Sequence, residues 1–316
     1  MSDIQVKVLR RQEEAEGIFS YELARPDGAP LPAFSAGSHI DVHLPGGLVR
    51  QYSLSNDDQE THRYRIAVLR DPASRGGSIA LHDQVRAGDA LTISAPRNHF
   101  PLVASPHSLL LAGGIGITPL LCMAQRLVAT GRDFSLHYCT RSLSRTAFRD
   151  SVAGFGERAH LHLDDGDVAQ KLDLPAVLQA APADSHLYIC GPGGFIDFVV
   201  QTARAAGWSD DRVHLEYFGA APQDTAGDRA FEVRLASTGK TYTIPADQTV
   251  VAALQAQGVD MLVSCEQGVC GTCLTSVLEG QCDHRDMYLT DDEKARHDQF
   301  LPCCSRARSP LLVLDL

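Results

Sequence analysis

CEQGVCGTC, residues 265–273, sets three cysteines at the spacing C-x4-C-x2-C with two glycines between them. Cysteines so placed suit a zinc clip, a disulfide knot or an electron-carrying centre, and the rest of the chain has to choose between these.

Six of the nine cysteines (Cys265, Cys270, Cys273, Cys282, Cys303 and Cys304) crowd into the last 52 of 316 residues. Cys122, Cys139 and Cys190 stand singly in apolar segments and read as small buried side chains. The opening MSDIQVKVLRRQEEAEG carries charges where a signal peptide needs an apolar stretch, so a cytoplasmic location is expected. A reducing compartment disfavours a disulfide framework. Zinc sites usually pair cysteines as two short clips, whereas here one compact loop holds three. The fourth, Cys303, arrives alone after 29 residues. That is the plant-type [2Fe-2S] spacing, and Cys265, Cys270, Cys273 and Cys303 are the expected ligands. Gly268 and Gly271 let the loop wrap closely. Cys304 competes with Cys303; if the segment is extended, neighbours point opposite ways and only one faces the cluster. Cys282 reads as structural.

Working outward, the stretch 230–316 predicts a hairpin in FEVRLASTGKTYTIP, a helix in QTVVAALQAQG, and strands in TSVLEG and SPLLVLDL. The small, polar AAPQDTAGDR (220–229) reads as a linker, placed at 223–229. Residues 105–222 alternate apolar runs (SLLLAGG, FSLHYCT, AHLHL, HLYICG, VHLEYF) with helical patterns, the mark of a parallel α/β sheet covered on both faces. Residues 1–104 alternate short period-two stretches with Gly, Pro and Asp turns, the mark of an antiparallel sheet or barrel, with Glu13 and Glu14 read as a solvated turn.

The formal net charge of -11 argues against a nucleic-acid partner. No apolar run reaches the ~18 residues of a membrane span.

CEQGVCGTC, then DHRD (283–286), CCSRA (303–307) and a terminal LDL together resemble the ferredoxin domain of the phthalate dioxygenase reductase family, which includes the vanillate O-demethylase reductases. The resemblance runs over essentially the whole chain. It implies a multidomain fold of β, α/β and α+β parts: an antiparallel flavin-binding β-barrel, a parallel α/β nucleotide-binding domain and a β-grasp-like [2Fe-2S] ferredoxin domain.

RQYSLS (50–55) resembles the R-x-Y-S motif of ferredoxin-reductase-type flavin domains, although by itself it also suits an ordinary strand. Tyr52 offers an aromatic wall, Gln51 and Ser53 lie beside it, and Arg50 suits the flavin phosphate. SRGGSIALHD (74–83) offers Arg75, Gly76, Gly77 and Ser78 as a phosphate cradle at a helix start. The resemblance implies FMN rather than FAD. LLLAGGIGITPLL (109–121) resembles the family's nucleotide turn, with Gly113, Gly114 and Gly116 near phosphate, Thr118 in reach of it, and Pro119 starting the helix. Cys190, Gly191 and Pro192 form a second turn that the resemblance places beside the nicotinamide. Arg141 and Ser142 suit the adenylate half, and the resemblance favours NADH. It also sets Phe218 against the flavin, where the residues alone equally suit a core Phe, and Glu216 as an orienting group.

A hydride carries two electrons and a two-iron cluster takes one at a time, so a flavin between them completes a circuit. No catalytic acid or base is assigned; Ser53, Thr118 and Cys190 are the expected alignment residues. By resemblance the acceptor is a separate Rieske-type oxygenase and the chain a monomer. Two rivals stay open: a free-standing flavin or ferric reductase, and a non-catalytic iron–sulfur carrier. The intact RQYS, GGIGITP and CGPGG stretches favour an enzyme over a carrier.

Overall fold

The computed structural model describes residues 3–74, 76–219, 225–263 and 265–316. These form two compact units, Met1–Phe218 and Gly219–Leu316.

The first unit opens with an antiparallel sheet. Its strands are β1 (Ile4–Ala15), β2 (Ile18–Ala24), β3 (Ser38–Leu44), β4 (Leu48–Ser53), β5 (Tyr64–Leu69), β6 (Ala90–Ile93) and β7 (Arg97–Asn98). They run in the order β4-β3-β6-β1-β2-β5, with β7 on β3. The end strands β4 and β5 approach each other. Alternation in the sequence becomes alternation in burial: Ile4, Val6 and Val8 point into a core with Tyr21, Ile40, Val42 and Ile66. Glu13 and Glu14 are a correction, since both belong to β1 and the turn comes at Gly17. Glu14 accepts a hydrogen bond from Ser20 across the hairpin at 2.6 Å, which holds an acidic pair in a strand end.

Short helix α1 (Gly77–Gln84) lies between β5 and β6. The second sheet is wholly parallel. It uses β8 (His107–Gly113), β9 (Asp133–Thr140), β10 (Ala159–Leu163), β11 (His186–Gly191) and β12 (Val213–Tyr217) in the order β10-β9-β8-β11-β12. Every residue of the central β8 is buried, as a strand covered on both faces requires. Helices α2 (Ile117–Ala129), α3 (Arg149–Ala153), α4 (Leu174–Ala180) and α5 (Gly193–Ala205) flank it. TAFRDSVAGFG yields only the five-residue α3, because Phe148 takes a left-handed backbone and ends any earlier turn. The expected boundary at residue 104 lies inside this unit: Phe100 packs edge-on against Tyr188, whose hydroxyl accepts the Val103 N–H at 2.8 Å.

The second unit is a mixed sheet of β13 (Phe231–Leu235), β14 (Thr241–Ile244), β15 (Thr275–Glu279), β17 (Gln299–Phe300) and β19 (Leu311–Leu314), ordered β14-β13-β19-β15-β17. Helix α6 (Val250–Gln255) is capped by the Thr249 hydroxyl and buries Val250, Val251, Ala253 and Leu254. A small pair, β16 (Cys282–Asp283) with β18 (Arg306–Ala307), and helix α7 (Asp291–Arg296) complete it. Residues 220–224 of the expected linker lie outside the described residues. Asp228, also expected there, is anchored: its carboxylate takes Arg285 at 3.0 Å and lies 3.5 Å from Arg306.

Among the described residues, no helix is long and apolar enough to cross a membrane.

Candidate redox sites

The cysteine loop is built to bring sulfur together. Gly268 and Gly271 both have positive φ, and a Cβ on Gly271 would meet the Tyr288 hydroxyl-bearing ring at 2.5 Å. Backbone N–H groups point at two of the sulfurs, Gln267 to Cys265 Sγ and Thr272 to Cys270 Sγ, each at 3.4 Å. The four thiols are each other's neighbours. Cys270, then Cys303, draws the Cys265 thiol far below its ordinary range. Cys303 likewise lowers Cys273, while contact with Cys265 pushes Cys270 up. Four buried thiols that perturb one another across two distant segments form a convergent donor set suited to a shared metal centre. Cys273 and Cys303 also pack with Val251, Leu289 and Leu301, which keeps water off that side. A cavity of about 160 Å³ lies between α6 and the loop, lined by Val251, Gln255, Glu266 and Cys303.

The expected alternation at Cys303 and Cys304 is corrected. Residues 302–304 form a turn, not an extended segment, so strict alternation does not govern the two side chains. Cys303 is buried, whereas Cys304 is partly exposed and directs its thiol to the Leu301 carbonyl at 3.7 Å. Cys304→Ser is therefore expected to keep full iron content and visible absorption, and Cys303→Ser to lose both; iron analysis of the two purified variants checks this.

In the first unit, β4 carries Arg50, Gln51, Tyr52 and Ser53 in register with β3. Arg50 folds over Gly77, where an added Cβ would lie 2.5 Å from Arg50 Cγ. That brings the guanidinium stem to the start of α1. Gly76 is the helix N-cap in a left-handed conformation, and Ser78 sits in the first turn with its hydroxyl 3.0 Å from Ser74. Arg75 lies outside the described residues. Gln51 Nε2 is 3.3 Å from His39 Nε2. Tyr52 is partly buried, and burial pushes its phenol well above the usual range.

The nucleotide turn follows β8. Gly114 has positive φ, and Gly116 precedes α2, which begins at Ile117, so Pro119 occupies the third helical position rather than the first. All three positions lack intrahelical N–H partners, and proline is tolerated at each. Gly116 lies against β11: an added Cβ would strike the Cys190 carbonyl and come 2.6 Å from Gly191 N. We expect Gly116→Ala to destabilise the chain by about 2 kcal/mol or more, read as a lowered denaturation midpoint. Thr118 is 2% exposed and donates its hydroxyl to the Ile115 carbonyl at 3.1 Å, so it braces the turn from inside. Cys190 is fully buried, with Gly191 and Pro192 leading into α5. Arg141 is exposed, and Ser142 Oγ lies 3.0 Å from Ser144 Oγ.

Among the links between the two sheets of this unit, Ser53 donates its hydroxyl to Glu216 Oε2 at 3.4 Å. Cys190 stands opposite Glu216 in the β11–β12 register. Burial pushes the Glu216 carboxyl up to about 8, with Ser53 pulling weakly the other way. Phe218 is 43% exposed, unlike a core residue.

Residues 233–308 match the family described as the 2Fe-2S iron-sulfur cluster binding domain. The vanillate O-demethylase oxidoreductase of Pseudomonas sp. (strain HR199 / DSM 7063) is 54% identical over 316 residues, covering 99% of this chain and 100% of the relative. Phthalate dioxygenase reductase of Burkholderia cepacia is 43% identical over 317 residues, covering 99% and 97%. The chain belongs to this reductase family. A solved phthalate dioxygenase reductase, described as a modular structure for electron transfer from pyridine nucleotides to [2Fe-2S], superposes with a TM-score of 0.78 at 42% identity over 100% of this chain and 98% of that one. As a member of the family, the chain is an oxidoreductase of the oxygenase-reductase kind, with a flavin- and pyridine-nucleotide-binding reductase fold and a 2Fe-2S domain.

The DHRD stretch that carried the resemblance proves to be a buried charge network. Arg285 joins Asp228 and Asp283, Arg306 donates to the Gln248 carbonyl at 2.7 Å, and Asp286 accepts from Leu289 N at 2.8 Å and from Ser305. Its wider links lie beyond local reading because Asp228, Gln248 and Ser305 are distant in sequence. The alternation of acid and base within DHRD was the available signal.

Proposed function

We propose that this chain takes electrons from NADH through FMN and a [2Fe-2S] cluster to a separate Rieske-type oxygenase. The observation that carries the reading is the gathering of Cys265, Cys270, Cys273 and Cys303, with N–H groups aimed at two of the sulfurs. When bound, the nicotinamide, flavin and cluster supply the hydride and electron chemistry; the chain positions and insulates them.

The proposed division is a flavin-binding β-barrel at 1–104, an NAD-binding domain at 105–222, a linker at 223–229 and a β-grasp-like ferredoxin domain at 230–316. Arg50, Gly76, Gly77 and Ser78, with Arg75, hold the FMN phosphate. Gln51, Tyr52, Ser53 and Phe218 border its ring. FMN rather than FAD rests on the family likeness, as does NADH. The Gly113–Pro119 turn and Arg141 with Ser142 hold the dinucleotide, while Cys190, Gly191 and Pro192 border the nicotinamide. Ser53 and Glu216 help join the two sheets, and donor and acceptor are aligned by binding alone. A cytoplasmic monomer completes the reading.

Residues 227–316 hold 13 acidic and 8 basic side chains. An oxygenase with a basic face suits this surface, and we expect electron delivery to slow about tenfold or more between low and physiological salt. A turnover indifferent to ionic strength excludes it. The wider test is truncation near Ala226: reduction of an artificial dye by NADH persists while delivery to the oxygenase is lost. Delivery undiminished by the cut contradicts the proposal.

A further inference from the structure

Away from the four converging cysteines, the second unit holds another set of soft donors. Cys282 begins the little β16–β18 pair and is fully buried. His297 ends α7 in a left-handed conformation, with φ of 54°. His284 lies between them in sequence. One ligand atom from each residue falls within 4.8 Å of the other two, and the two imidazoles lie nearly parallel, 5.5 Å apart.

His284 is the telling member. Its side chain is only 6% exposed, and neither ring nitrogen has a hydrogen-bond partner among the described residues. A buried imidazole left without partners is costly, because it forfeits its water without replacement. The nearest charged group is Asp286 Oδ1, 3.6 Å from Nδ1. That carboxylate is held by Leu289 N and Ser305. A carboxylate close to an imidazole that also has a thiol and a second imidazole beside it suits the outer arrangement that orients metal-bound histidines.

We propose that Cys282, His284 and His297 bind a divalent cation of the zinc class. Thiolate and imidazole donors favour such an ion over magnesium or calcium, and three protein ligands leave a fourth position for water. His297 Nδ1 now accepts the Cys282 N–H at 3.2 Å, and the Cys282 thiol lies 3.9 Å from the His297 carbonyl. Ligation through Nδ1 exchanges these long contacts for metal bonds. The charges facing the site are mixed: Asp286 and Asp298 act on the Cys282 thiol, Arg296 pairs with Asp298 at 3.3 Å, and Lys294 donates to the Asp286 carbonyl at 2.8 Å. Burial first, then those carboxylates, pushes the thiol up to about 12, so binding must release its proton and strengthens as pH rises. The bound ion ties β16 to the end of α7 and closes the 282–297 segment.

The test uses the full chain with its iron complement intact, so that the other cysteines are occupied. After incubation with zinc and desalting, elemental analysis should find one retained zinc per chain beside unchanged iron. His297→Gln, on a partly exposed residue, and Cys282→Ala should each weaken zinc retention at least tenfold, with His297→Gln keeping the visible spectrum as its check of folding. No zinc on the intact chain, or equal retention by wild type and a correctly folded His297→Gln, overturns the proposal. Equal retention would assign the ion to other histidines, such as the His137–His162 or His186–His214 pairs.

Discussion

Cys270→Ala should strip the chain of its iron while leaving NADH-driven dye reduction within about twofold of wild type, and electron delivery to an oxygenase should fall by about a hundredfold or more. Cys270 lies between two loop glycines of positive φ, Gly268 and Gly271. Its own sulfur takes the Thr272 N–H. Removing one of four thiolates leaves a site that no longer closes around a cluster. The first unit has its own cores and is compact by itself, so its chemistry should survive. Iron content, flavin content and the two rates are measured on one preparation. Full iron with unimpaired delivery would remove Cys270 from the ligand set.

Glu216→Gln should stabilise the chain at alkaline pH and barely change it at acid pH. The carboxyl holds its proton more tightly when folded, up to about 8 against an ordinary 4.5. A raised acid favours folding while the proton is on. That advantage is complete below about 4.5 and is lost progressively as pH climbs to about 8, since the unfolded chain ionises first. Gln carries no proton to lose. The gain at pH 9 is of order 2–4 kcal/mol, read from denaturation midpoints at pH 4 and pH 9. The same variant should flatten any pH dependence of hydride transfer between pH 7 and 9, because Ser53 keeps an acceptor that no longer changes charge. A midpoint difference independent of pH would show that Glu216 is ionised throughout.

Local chemistry was largely legible in the sequence. C-x4-C-x2-C with a distant cysteine predicts that four sulfurs meet, and Cys265, Cys270, Cys273 and Cys303 are indeed neighbours in the fold. The apolar run before GGIGITP marks a buried parallel strand because both its faces are covered. What the sequence hid depends on partners remote in the chain. Glu216 stands out in the sequence as an orienting group, but its partner Ser53 and its neighbour Cys190 appear only in the fold. DHRD carries the family resemblance in the sequence, but its links to Asp228 and Ser305 appear only in the fold. His284 acquires meaning only when Cys282 and His297 approach. Backbone detail was also concealed: the turn at Cys303–Cys304 and the strand at Glu13–Glu14 were each settled by hydrogen bonds that neither residue type dictates.

Anaerobic titration of the purified chain with NADH, followed by visible and electron paramagnetic resonance spectroscopy, tests the central assignment most directly. Two irons and two sulfides per chain are expected, with bleaching of flavin and cluster bands together and a one-electron signal from a reduced [2Fe-2S] centre. A colourless preparation holding zinc at the four cysteines, or a cluster that NADH never reduces, would contradict it.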